Sequence, residues 1–184
     1  ITVNDTNRAP ELAPIGDKSV SENQKLAFTI SAIDPDGDSL TYSASTLPSG
    51  ANFDTLTQTF SWMPNYAQAG SYLVTFSVDD KKGGIDSETI NITVIDVKYS
   101  LTLNPNNGTI TLDPNKSSFD PNETVTLTAT APDNFIFSHW AGDITGTEIS
   151  KTITVTGNMN IEAVFVENKP PIAEAGADQT VKVG

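Results

Sequence analysis

The sequence predicts an all-β chain of tandem modules, on three observations. Apolar residues alternate with Thr and Ser at period two in one segment after another. Turn residues separate these segments, and no stretch keeps an apolar stripe at the 3.6-residue period of a helix. Eleven prolines and twelve glycines, nearly all between the alternating runs, fit short strands and leave little room for long helices. This is the composition of a β-sandwich, whose antiparallel sheets bury one face and offer the other to water.

The opening "ITVND" (1–5) reappears as "ITVID" (92–96), where it closes a block of strands. Residues 1–6 are therefore expected to hold the last strand of a preceding module and the start of a linker, "TNRAPEL" (6–12). A first whole module is expected over 7–96. In it Leu26, Phe28 and Ile30 alternate with Ala27, Thr29 and Ser31, and Tyr72, Val74, Phe76 and Val78 with Ser71, Leu73, Thr75 and Ser77. Ile90, Ile92 and Val94 alternate with Thr89, Asn91 and Thr93, and "LPSG" (47–50) and "KKGG" (81–84) supply turns. After "VKYSLTLNPNNG" Thr and Asn rise and the Asp clusters vanish, so a second module is expected over 97–167. There Val125, Leu127 and Ala129 sit among four threonines, and "NPNNG" (104–108) and "TGN" (156–158) read as turns. "ENKPPIAEAG" (167–176) is a Pro-bearing, extended linker, and residues 168–184 are expected to be that linker and the first strand of a further module. Two whole modules and two fragments on a string belong to extracellular arrays rather than to compact enzymes, and the chain reads as a segment of a longer protein.

Composition excludes several chemistries. With no cysteine there is no disulfide framework, thiol chemistry or Cys-ligated zinc, and the single His139 rules out a multi-histidine metal site. Ten Lys and Arg against 23 Asp and Glu give a net charge of −13, which argues against nucleic acid and anionic membranes and favours bound cations. No apolar run is long enough to cross a membrane. Five N-x-[ST] sequons (Asn4, Asn91, Asn107, Asn115, Asn122) are what chance gives in a chain rich in Asn and Thr.

"IDPDGDSLTYS" (33–43) places Asp34, Asp36 and Asp38 within five positions, around Pro35 and Gly37. Two readings stand: a cation site, or a type I turn capped by Asp side chains. It is not an EF-hand, because Ser39 stands where the loop needs Gly, Ser45 where it needs its last acidic ligand, and no helices flank it.

"VSENQKLAFTISAIDPDGDSLTYSA" (20–44) resembles a cadherin repeat, with its V-x-E-N turn, A-x-D-x-D and Y-S strand. "LPSGANFDTLTQTFSWMPNYAQAGSYLVTFSVDDKKGG" (47–84) resembles bacterial cadherin-like domains and their immunoglobulin-like, dystroglycan-type relatives. The shared marks are L-P-x-G, W-x-P, A-G-x-Y-x-V and a final Asp before Gly-rich residues. The stretch 99–167 resembles the divergent internalin B-repeat family through Y-x-L-T, P-x-E-x-V-x-L-T-A, F-x-x-W-x-G-D and the A-x-F ending. "NKPPIAEAGADQTVKVG" (168–184) looks like the opening of a polycystic-kidney-disease (PKD) domain. The resemblances imply an immunoglobulin/cadherin-like β-sandwich followed by a small β-rich domain.

In cadherins the D-x-D pair joins an Asp/Asn-rich linker and a later Asp to form a calcium cluster at a junction between repeats. Carried over residue by residue, this implies calcium ligands at Asp5 and Asn7 in "VNDTN", at Asp34 and Asp36, and at Asp79 before the last hairpin. Asp38 is left facing solvent. Glu22 matches an early Glu that serves the opposite cluster, but the accompanying D-x-E and the following N-D-N are absent, so one calcium locus is expected and none at the far end.

Neither "HW" at 139–140 nor Trp62 demands a sugar platform, since a Trp in a β corner more often plugs the core with its N–H satisfied. No nucleophile elbow or carboxylate pair suggests catalysis. The chain is therefore expected to be a non-catalytic segment of a large extracellular or cell-surface microbial protein, a calcium-stiffened spacer or adhesion array. Its partners would be neighbouring modules of the same chain, other surface proteins or glycans. The alternative is a set of accessory modules of a secreted polysaccharide-degrading enzyme.

Overall fold

The computed structural model describes residues 6–169. Residues 1–5 and 170–184 lie outside the described residues, and with them the expected preceding strand, Asp5 and nearly all of the expected PKD-like opening. The described chain is all-β and divides between Lys98 and Tyr99 into two units, each with its own core.

In the first unit β1 (Glu11–Leu12) pairs with β4 (Ala32–Ile33). A four-stranded sheet joins β2 (Lys18–Ser21), β5 (Thr41–Ser45), β8 (Gly70–Asp79) and β9 (Ile85–Ile95) in the order β2-β9-β8-β5. A three-stranded sheet joins β3 (Leu26–Thr29), β6 (Asn52–Asp54) and β7 (Thr59–Trp62) in the order β3-β7-β6. The period-two alternation does what it predicts: Val74, Phe76, Val78, Ile90, Ile92 and Val94 are buried, while Thr75 and Thr89 pair their hydroxyls on the other face at 2.8 Å. β2 runs parallel to β9, with Lys18 beside Ile92 and Ser21 beside Ile95; the other pairings of this sheet are antiparallel.

The second unit has β10 (Leu101–Asn104), β15 (Met159–Glu167) and β13 (Phe135–Gly142) in one sheet, facing β11 (Thr109–Asp113), β12 (Thr124–Thr130) and β14 (Ser150–Thr154) across a shared core. Here the first strand, β10, pairs parallel with the last, Leu101 beside Met159, as β2 does with β9 in the first unit. Both indoles plug cores as expected. Trp62 is 2% exposed and donates Nε1–H to the Ser49 carbonyl at 3.2 Å; Trp140 is 1% exposed and donates to the Glu148 carbonyl at 2.8 Å. His139 lies exposed at a β-bulge, its Nδ1 3.0 Å from the Ser138 hydroxyl.

Candidate metal centre

The acidic turn begins where β4 ends. Asp34 Oδ1 accepts the backbone N–H of Asp36 at 2.8 Å and of Asp38 at 3.1 Å, and the Asp34 carbonyl accepts Gly37 N–H at 3.2 Å. Gly37 takes φ 79°, a left-handed conformation that lets the chain close on itself. The capped-turn reading is thus realised, and the same turn draws three carboxylates together. One oxygen from each of Asp34, Asp36 and Asp38 lies within 4.8 Å of the others.

Two cations attend the cluster. Arg8 donates Nε–H and Nη2–H to Asp36 Oδ1 at 2.9 and 2.6 Å, its backbone N–H to Asp36 Oδ2 at 2.7 Å, and Nη2–H to the Pro35 carbonyl at 2.6 Å. These bonds, led by the guanidinium, hold Asp36 below the usual carboxylate range. Lys82 Nζ ion-pairs with Asp38 Oδ1, and this hydrogen bond pushes the lysine above its ordinary value. The Asp38 side chain is only 13% exposed, so it belongs to the cluster and not to solvent, contrary to expectation: the Asx turn folds it back over Asp34. The remaining oxygens, Asp34 Oδ2 and Asp38 Oδ2, are shielded from water and have no hydrogen-bond partner among the described residues. A shielded carboxylate oxygen without a donor is costly unless a cation completes it.

Asn7 and Asp79 part company. Asn7 Nδ2–H donates at 2.8 Å to Asp80 Oδ2, not to Asp79. Asp79, the last residue of β8, gives Oδ1 to the Lys81 backbone N–H at 2.6 Å and Oδ2 to Lys81 Nζ at 2.9 Å. Asp80 is 3% exposed, and its Oδ1 accepts Lys82 N–H at 2.7 Å and Gly84 N–H at 2.9 Å. Asn7 leads the causes that hold Asp80 below its ordinary value. Asn7, Asp36, Asp38 and Lys82 line one surface cleft. Among the described residues the three clustered carboxylates are met by two cations, Arg8 on Asp36 and Lys82 on Asp38.

Other acids, which sequence reasoning missed, tie the 12–17 segment to β9. Asp86 accepts Leu12 N–H at 2.7 Å, Glu88 accepts Ile15 N–H at 2.7 Å and Gly16 N–H at 2.9 Å, and Asp17 accepts Asn91 N–H at 2.8 Å. The polar members of the β9 alternation were the only signal for Asp86 and Glu88, and Asp17 had none. At the far end of β9, Glu22 is 2% exposed and accepts Val97 N–H at 2.9 Å through Oε2.

Residues 9–95 match the family model described as "Putative Ig domain", and residues 99–169 match that of the "Divergent InlB B-repeat domain". The first of the two units is thus similar to Ig-like domains and the second to B-repeat domains. Modules of these two kinds are typical of extracellular proteins and are typically non-catalytic. No curated protein sequence matches the chain. Among solved structures, the N-cadherin EC1-4 fragment of Drosophila is 12% identical over 85% of this chain and 49% of its own, with a TM-score of 0.46. Human protocadherin-24 EC1-2 is 18% identical over 84% of this chain and 80% of its own, with a TM-score of 0.40. A "putative alpha-galactosidase" of Bacteroides fragilis is 17% identical over 56% of this chain, TM-score 0.42, and the chain spans 22% of its length. Among the described residues no helix is long and apolar enough to cross a membrane.

Proposed function

We propose that the chain is a non-catalytic spacer or adhesion segment of a large extracellular microbial surface protein, and that its Ig-like module takes one calcium ion at the Asp34–Asp36–Asp38 turn. The observation that carries this reading is the pair of shielded, unpartnered oxygens, Asp34 Oδ2 and Asp38 Oδ2, inside a cluster of three carboxylates. The donor set fits calcium. The ion takes hard oxygen ligands at about 2.4 Å, so oxygens within 4.8 Å of one another can share it. Asp34 and Asp38 would be the principal holders, with Asp36 and Asn7 beside them. When bound, the ion supplies charge neutralisation and cross-linking, not reactivity. Arg8 and Asn7 fasten the linker to Asp36 and Asp80, so an ion that rigidifies the turn would stiffen the segment leading into the module.

Thermal melting with and without calcium tests this. At a hundred times its Kd, calcium should add about 2.7 kcal/mol to the Ig-like module and raise its Tm. Asp34→Asn with Asp38→Asn should abolish the response. An unchanged wild-type Tm in millimolar calcium would reduce the cluster to a capped turn.

A further inference from the structure

We infer that Lys82 is a built-in counter-cation of this cluster, holding Asp38 while no metal is present and yielding it when a divalent cation arrives. Metal binding is then an exchange rather than a simple addition. The inference rests on the calcium reading and deepens it into a statement about regulation of the same site.

Lys82 Nζ occupies Oδ1 of Asp38, the carboxylate whose other oxygen is shielded and unpartnered. The lysine also lines the cleft with Asn7, Asp36 and Asp38, so its ammonium stands beside any ion bound there. A tethered like charge at that place opposes the ion. Lys82 is built to leave: its ammonium holds the cluster through one oxygen, Asp38 Oδ1, from a flexible four-carbon stem, and its charge can retire into water. Its backbone stays behind, because Asp80 Oδ1 accepts the Lys82 N–H at 2.7 Å whatever the side chain does. Arg8 is not built to leave. Its guanidinium gives two N–H groups to Asp36 Oδ1 and also reaches the Pro35 carbonyl, and its backbone N–H is bonded to Oδ2 of the same carboxylate. Lys81 is the natural control, being the adjacent residue of the same turn with its ammonium on Asp79, outside the cluster.

Calorimetric calcium titration of the full chain, wild type beside Lys82→Met and Lys81→Met, tests the exchange, with Lys82→Gln as a second variant should the first misfold by circular dichroism. Removing the Lys82 charge should tighten calcium binding about tenfold, whereas Lys81→Met should stay within about twofold of wild type. Without calcium the Lys82 variant should melt below wild type, because the carboxylates have lost a counter-charge; with calcium the difference should shrink or reverse. If wild type binds calcium and Lys82→Met binds it no more tightly, the exchange is overturned and the calcium reading stands. Equal tightening by both lysine variants would also overturn it, since net charge alone would then act. If neither wild type nor Lys82→Met binds calcium, both readings fall together.

Discussion

Asp80 accepts three hydrogen bonds at a position 3% exposed, from Asn7, Lys82 and Gly84, and these favour its ionised form. A carboxylate whose pKa is lower in the folded than in the unfolded chain stabilises the fold above its unfolded value. That contribution is lost as the pH falls through the folded value. Asp36 and Asp80 are both lowered from 3.8, so the Ig-like module should lose stability as the pH drops below about 3.8. Asp80→Asn should flatten the dependence of Tm on pH in this acid range. Gly84 is the steric counterpart: a Cβ there would lie 2.6 Å from the Ala9 Cα and collide with the Asp80 carboxylate. Gly84→Ala should cost about 1–3 kcal/mol by denaturant unfolding and loosen residues 7–9, visible as faster amide exchange. At this scale the sequence yielded the turn and the pair Asp34 and Asp36. It did not separate Asp79 from Asp80, because the choice depends on where β8 stops and the chain turns, a one-residue matter. Nor did it place Asp38, which an Asx turn brings back to Asp34 through backbone bonds that leave no periodic trace. Arg8 and Lys82 passed unnoticed because most cations in polar loops are simply solvated.

The β8–β9 hairpin is the element that carries the Ig-like core. From its inner face Phe76 meets Phe28, Phe53 and Phe60 with ring centroids 5.7, 5.5 and 5.9 Å apart, all in edge-to-face geometry. Phe76→Ala should therefore cost about 3–5 kcal/mol, measured as a loss of denaturant midpoint with little change in slope. The hairpin was legible because Val74, Phe76 and Val78, like Ile90, Ile92 and Val94, keep strict period two on a half-buried sheet. The strands β1, β4 and β6 were not read, since two or three residues carry no period. The parallel pairings of β2 with β9 and of β10 with β15 were equally silent, because alternation tells which side faces the core and nothing about a strand's direction.

Two cores that share no residue make two stability problems in one chain. Trp140 fills the B-repeat core as Phe76 does the Ig-like one, both buried. Differential scanning calorimetry should show two transitions, with Phe76→Ala lowering one and Trp140→Ala the other, and the double variant additive. Calcium should move the Ig-like transition alone.

The parallel pairings of β2 with β9 and of β10 with β15 decide how each of these ladders meets a pulling force. Tension that draws Lys18 one way and Ile95 the other runs along β2 and β9 and loads their ladder in shear, every bond at once. Handles on the register partners Ser21 and Ile95 would instead peel the same bonds one by one. Single-molecule extension should find a markedly higher rupture force for the first geometry, and the same contrast in the B-repeat module between Leu101 with Glu162 and Asn104 with Glu162.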